Sequence, residues 1–225
     1  MGNIKGIKAC VFDAYGTLFD VHAPTAAIAD KLGDKAQPLS ETWRGKQLQY
    51  TWLRSLMDDY ADFWVVTGDG LDYAMAQHGI DDAEIRDQLM SLYMTLDAYP
   101  DALDTLQKLK DAGYATGILS NGSPKMLEAA VNNSGLAPLL DEVLSVDDVG
   151  IYKPSGKVYQ MAVDSMGVTA NEICFVSANS WDAAGAAGFG FQVAHLNRFN
   201  QPVERLPGKP VEIMKSLSDL PPVLG

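Results

Sequence analysis

From Pro100 to Leu196 the chain alternates short apolar runs with amphipathic stretches of helical length, and this alternation constrains the fold more than any other feature. Asp101 to Ala112 reads as a helix that Gly113 ends, and Tyr114 to Leu119 as an apolar strand. Pro124 to Asn133 is again helical, Glu142 to Val146 a strand, Gly156 to Met166 a helix and Glu172 to Val176 a strand. Trp181 to Gly188 then reads as a helix and Phe191 to Leu196 as a strand. Strands alternating with helices predict an α/β fold, a doubly wound, mostly parallel, Rossmann-like sheet. The apolar run Ala9-Cys10-Val11-Phe12 supplies one further strand, separated from its partners by a long segment of different character. From about Ala23 to Tyr99 that segment carries aromatic and Leu residues at helical spacing and almost no strand signals. It is expected to be an inserted helical cap over the carboxyl ends of the strands, the usual place for a lid that excludes water. The expected division is residues 1–20 and 99–225 for the core and 21–98 for the cap. The Pro-rich tail from Asn197 reads as a loop, a short edge element and a closing turn.

Composition narrows the function. With 17 Lys and Arg against 29 Asp and Glu, the formal net charge is -12. Nucleic acid and anionic membranes need a basic footprint and are not expected as partners. If the substrate is an anion, local positive charge must overcome an unfavourable global field, so each lysine or arginine at the site becomes informative. The two cysteines, Cys10 and Cys174, fall in strand-like runs without metal-ligand spacing and read as buried thiols of a cytoplasmic protein. No long apolar stretch suggests a signal peptide or a membrane span. His22, His78 and His195 belong to no acid–base or metal constellation and are expected to be structural or exposed.

Each predicted strand ends in polar residues. Asp13 follows the first, Ser120 and Asn121 the second, Lys153 lies beyond the third, and Ser177, Asn179 and Asp182 follow the fourth. In a parallel sheet those ends lie side by side, so residues far apart in sequence converge on one crevice. Any one of them alone reads as turn chemistry, which Asp, Asn, Ser and Gly perform after many strands. Lys153 precedes Pro154, which disfavours helical geometry at the lysine and can itself begin a helix. Placed beside Asp13, the lysine would keep that carboxylate ionised and nucleophilic. In the cap, Arg44, Leu48 and Trp52 recur at spacings of four and share a helix face; an arginine there is more often a snorkelling surface residue.

These segments resemble the haloacid dehalogenase superfamily, whose pattern is a nucleophilic Asp after the first strand, a Ser or Thr after the second, a Lys before a later helix and an acidic loop. Most members are phosphatases with Asp-x-Asp-Gly-Thr, whereas this chain reads Asp13-Ala14-Tyr15-Gly16-Thr17. In the phosphatases the second Asp is the general acid, and carboxylates of the acidic loop help to hold magnesium. Tyr15 cannot replace that acid, and Ser177-Ala178-Asn179-Ser180-Trp181-Asp182 offers a single carboxylate. The remaining pattern is similar to the L-2-haloacid dehalogenase branch over nearly the whole chain. It includes the cap segment around Arg44, Ser120-Asn121-Gly122, Lys153-Pro154 with Tyr159, and Ser177 to Asp182.

The resemblance implies that Asp13 attacks Cα of an (S)-2-haloalkanoate and forms an enzyme ester with inversion, without metal or other cofactor. Arg44 and Asn121, with Trp181 nearby, would receive the halide, and Ser120 with strand-end amides would hold the substrate carboxylate. Tyr15 would line the substrate pocket, together with Leu48, Phe63 and Trp64 as candidate walls. Lys153 would neutralise Asp13, while Thr17, Tyr159, Ser177 and Asn179 fix the network. Asp182 would deprotonate the water that cleaves the ester. The resemblance also implies a homodimer. The alternatives are a Mg-dependent phosphatase of the same fold and a non-catalytic binding module.

Overall fold

The strand predicted before Asp13 forms β1 (Ala9–Phe12), and its four residues are all buried. A parallel strand covered on both faces reads as an unbroken apolar run rather than an alternating one. The architecture comes from a computed structural model that describes residues 3–225; Met1 and Gly2, the start of the expected core, lie outside the described residues. The other strands are β2 (Ala115–Ser120), β3 (Glu142–Ser145), β4 (Ile173–Ser177), β5 (Gln192–Leu196) and β6 (Glu212–Met214). They form one parallel sheet in the order β3-β2-β1-β4-β5-β6. This is the doubly wound arrangement, in which the order reverses beside β1 and leaves a crevice at the carboxyl ends.

Register places the functional ends together. Phe12 pairs with Ile118 of β2 on one side and with Val176 of β4 on the other. The next residue, Asp13, continues the ladder through its amide, which donates to Val176 O at 2.9 Å. The polar residues that follow β1, β2 and β4 therefore emerge at one level.

Five helices lie between β1 and the rest of the core: α1 (Ala23–Ala27), α2 (Ala29–Leu32), α3 (Ala36–Leu56), α4 (Phe63–Gln77) and α5 (Ala83–Met94). Local chemistry explains where two of them start. Asp62 accepts from the amides of Trp64 and Val65 at the head of α4, and Asp82 accepts from Glu84 and Ile85 at the head of α5. The chain then returns beside its point of departure, with Tyr99 N bonded to Leu18 O at 2.7 Å. The remaining helices, α6 (Ala102–Asp111), α7 (Pro124–Asn133), α8 (Gly156–Met166), α9 (Ser180–Phe189) and the short α10 (Leu220–Val223), pack around the sheet.

The sequence-derived elements recur within one or two residues at their ends. Pro154 does not open α8 as the sequence suggested; it precedes Ser155, the residue that occupies the N-cap. The tail yields the expected edge element, β6, on β5. Cys10 and Cys174 are neighbours in the β1–β4 register and both are free and buried. Among the described residues no helix is long and apolar enough to cross a membrane.

Candidate active site

Asp13 emerges from β1 into a turn that Gly16 makes feasible. Gly16 has φ +93, and the position its Cβ would take lies 3.7 Å from Asn179 Nδ2 and 3.9 Å from Arg44 Nη2. A side chain there would be conformationally strained, although its Cβ would make only ordinary van der Waals contacts with both groups. One Asp13 oxygen, Oδ2, accepts from Thr17 Oγ1 at 3.1 Å and from Asn179 Nδ2 at 2.6 Å. Thr17 is locked in turn by the Ala178 amide, which donates to its hydroxyl at 2.8 Å. The other oxygen, Oδ1, faces Lys153 Nζ at 3.2 Å.

Lys153 bridges two carboxylates, since its ammonium also lies 2.9 Å from Asp182 Oδ2. It is 1% exposed and Asp182 is fully buried, so neither charge is hydrated. Burial disfavours the lysine's charge, but Asp13 and then Asp182 outweigh it and hold the pKa of Lys153 above its ordinary value. Burial pushes Asp182 the other way, up from the usual carboxylate range, against the attraction of Lys153 and with the help of Asp13. Tyr159 donates to Asp182 Oδ1 at 2.8 Å. Burial and the neighbouring carboxylate raise the tyrosine far above its usual value, so it remains a neutral donor.

Arg44 enters from α3. Its Nη2 donates to Asn179 Oδ1 at 2.9 Å and to Tyr15 O at 3.2 Å, and its Nη1 donates to Gln47 Oε1 at 2.6 Å. It is therefore not the surface arginine that its spacing alone favours. Asn179 uses both ends of its amide, linking the cap arginine to Asp13 and to the Tyr15 carbonyl.

A small pocket is walled by Asp13, Tyr15, Arg44, Leu48, Phe63, Ser120, Asn121, Asn179 and Trp181. Its walls nearly fill it, leaving room for about one water molecule. Asn121 Oδ1 accepts from the Lys153 amide at 3.1 Å, which turns its NH₂ end away from that bond. Ser120 Oγ accepts from the Gly122 amide at 3.0 Å and keeps a hydroxyl hydrogen to donate. Trp181 packs edge-on against Trp52, with ring centroids 5.3 Å apart, and neither buried indole N–H has a protein partner. A cavity of about 260 Å³ shares Arg44, Leu48, Asn179 and Trp181 with this pocket and extends to His195 and Arg198.

The sequence-derived residues do not all reach Asp13. Ser177 Oγ stays within its own turn, bonded to Asn179 N and O, and Tyr159 meets Asp182 rather than Asp13. Leu48 and Phe63 are pocket walls as expected, whereas Trp64 lines a different surface depression. The histidines bond elsewhere: His22 with Ser40, His78 with Thr42 and His195 with Ser177 O. Sequence reasoning overlooked Gln47, Thr67 and Tyr93. The signal available for Gln47 was its place three residues after Arg44, which puts both on one helix face.

The arrangement can support nucleophilic displacement by a carboxylate and then hydrolysis of the resulting ester. Among the described residues no group of three or more His, Cys, Asp or Glu side chains is placed to hold a metal ion. Where the phosphatase pattern keeps its acid, Tyr15 stacks on Tyr93 with ring centroids 5.7 Å apart.

Comparison with known proteins gives the same direction. Residues 7–190 match the haloacid dehalogenase-like hydrolase family model. The (S)-2-haloacid dehalogenase 4A of Burkholderia cepacia is 48% identical over 222 residues, covering 98% of this chain and 96% of that protein. A crystal structure of a dehalogenase with an intermediate complex superposes with TM-score 0.96 at 48% identity, covering 98% of both chains. The L-2-haloacid dehalogenase of Xanthobacter autotrophicus, with chloropropionic acid covalently bound, superposes with TM-score 0.89 at 38% identity, covering 96% of this chain and 98% of that one.

Proposed function

The chain belongs to the haloacid dehalogenase-like hydrolases, and from that premise we propose how its site works as an (S)-2-haloacid dehalogenase. The reaction converts an (S)-2-haloalkanoate and water to the (R)-2-hydroxy acid, halide and a proton, through an ester on the enzyme. Asp13 is the nucleophile. Its carboxylate forms the C–O bond at Cα as the carbon–halogen bond breaks, which inverts that carbon. The single observation that carries this reading is the buried Asp13–Lys153–Asp182 array.

The chemistry of the leaving group suits the site. Halide departs with its electron pair and needs no proton, so a tyrosine in place of the phosphatase acid costs the reaction nothing. It needs positive charge and N–H donors, which Arg44, the Asn121 NH₂ and the Trp181 indole supply. Ser120 and amides at the strand ends hold the substrate carboxylate. The array of Asp13, Asp182 and Lys153 carries one net negative charge, which Arg44 offsets before an anionic substrate arrives.

Ester hydrolysis uses the same core. Lys153 polarises the ester carbonyl, and Asp182 takes a proton from the water that attacks the Asp13 carbonyl carbon; its raised pKa makes it a better base than an exposed carboxylate. Thr17 and Asn179 hold Asp13, Tyr159 holds Asp182, and Ser177 holds the turn that carries Asn179. A closed cap replaces the hydration shell of the nucleophile with fixed dipoles. The division we propose keeps residues 1–20 and 99–225 as the catalytic core and 21–98 as the cap. The buried thiols suit a cytoplasmic location. The exposed Leu56 and Met57 at the end of α3 suit a homodimer, which light scattering on the eluted protein would reveal or refute.

The test is halide release from (S)-2-chloropropionate in the presence of a metal chelator, with phosphate release from a phosphomonoester in magnesium as the control. Halide with the first and no phosphate with the second is expected; the reverse would overturn the assignment. A single turnover in ¹⁸O-water with excess enzyme should place label in Asp13, and label found directly in the hydroxy acid would mean that water attacked Cα.

A further inference from the structure

We infer that Gln47 is a positioning residue for Arg44, and that Thr67 decides which end of the Gln47 amide the arginine meets. The inference rests on the reading of Arg44 as the cap's halide-receiving group. Gln47 is 1% exposed, so its amide must find all its partners within the protein. Its Oε1 accepts from Arg44 Nη1 at 2.6 Å, and its Nε2 donates to Thr67 Oγ1 at 2.7 Å and to the Tyr93 hydroxyl at 3.1 Å.

Hydrogen-bond capacity orients the amide. The Thr67 hydroxyl donates to Phe63 O, one turn earlier on α4, at 2.6 Å. A hydroxyl has one hydrogen, so what Thr67 offers Gln47 is a lone pair, which only the NH₂ end satisfies. The amide oxygen is thereby turned toward Arg44. Reversed, the amide would set two donors against each other at the arginine and two acceptors at Thr67. A chain of polarity thus runs from the α4 backbone through Thr67 and Gln47 to the guanidinium. Gly70 permits the close helix approach this requires, since a Cβ there would sit 3.2 Å from the Gln47 backbone nitrogen.

The acceptors of Arg44 divide between two parts of the protein. Tyr15 O and Asn179 Oδ1 belong to the core, and Gln47 Oε1 belongs to the cap. Only Gln47 shares the helix that carries Arg44. It is also a neutral acceptor. An amide fixes the direction of the guanidinium without cancelling its charge, which leaves that charge for a departing anion; a carboxylate at the same place would orient and neutralise at once.

The test measures halide release from (S)-2-chloropropionate and (S)-2-bromopropionate, in steady state and with excess enzyme, for Gln47→Met, Gln47→Glu, Thr67→Val and Arg44→Lys. Ester formation from the chloro acid should slow by roughly tenfold in both Gln47 variants, in Gln47→Met through loss of one charge-assisted hydrogen bond and in Gln47→Glu through neutralisation of the guanidinium, with KM changing less than kcat. Chloride, the poorer leaving group, depends more on stabilisation, so the bromo-to-chloro rate ratio should rise by about threefold or more, as in Arg44→Lys. Thr67→Val should shift the ratio in the same direction by less. Equal losses on both substrates that track a lowered melting temperature, or no loss, would overturn the inference. A shifted ratio in Arg44→Lys without one in the Gln47 variants would overturn it alone, whereas an unshifted ratio in Arg44→Lys would overturn the reading of Arg44 as well.

Discussion

Lys153 and Arg44 are the two cations of the site, and the protein holds them by different means. Lys153 lies 3.2 Å from one carboxylate and 2.9 Å from another. Arg44 touches only neutral oxygens, those of Gln47, Asn179 and the Tyr15 main chain. Lys153 stands in the core, in the loop between β3 and α8, held by its amide on Asn121 and by Asp13 and Asp182, which follow the register-paired strands β1 and β4. Arg44 stands on a helix of the cap, where a chain of side-chain hydrogen bonds does the orienting. The difference teaches that the core's cation is committed to the enzyme's own carboxylates, whereas the cap's cation is left with charge to give to a ligand. It also reconciles a chain of net charge -12 with an anionic substrate.

The sharpest way to break this contrast is to remove the anion that Lys153 meets directly and that Arg44 reaches only through Asn179. Asp13→Asn should lower halide release by about a thousandfold or more while circular dichroism shows the fold intact, because the amide keeps the shape and loses the nucleophile. An active Asp13→Asn enzyme would refute the covalent route. The next effect is on stability. Lys153→Met leaves two buried carboxylates without compensation and should cost about 3–5 kcal/mol in denaturant unfolding. Arg44→Met leaves only neutral acceptors and should cost about 1–2 kcal/mol, although both variants lose turnover. Equal costs would show that the two cations are held alike.

The smallest effect is on pH dependence. Burial raises Asp182, so the acid limb of kcat should fall at a pH above the ordinary carboxylate value, where protonation removes the base. The raised Lys153 has the opposite sense: its stabilising contribution is complete below the unfolded lysine value and is lost as pH rises through the higher folded value. Unfolding followed against pH should therefore show this loss in wild type, beginning above the usual lysine range, and not in Lys153→Met.

Much of the fold and of the site is legible in the sequence, and particular residues show why. Buried strands must be apolar throughout, so β1, β2, β4 and β5 stand out as runs, and the alternation with helices leaves a parallel sheet as the consistent arrangement. In a parallel sheet Asp13, Ser120, Lys153 and Asp182 have to approach one another. The substitution of Tyr15 for the phosphatase acid is visible as a letter.

What the chain by itself determined was the order of elements, the convergence of the strand ends and the identity of the groups that converge. Only the tertiary structure decided who bonds to whom: that Lys153 spans two carboxylates, that Tyr159 serves Asp182, that Ser177 stays in its turn, and that Gln47, Thr67 and Tyr93 stand behind Arg44. The physical reason lies in the range of the forces. Periodicity records which face of an element is apolar, a property local to that element, whereas a hydrogen bond needs a few tenths of an ångström and a direction. Those are set by how α3 crosses α4 and how the cap meets the sheet, and no single segment of the sequence carries them.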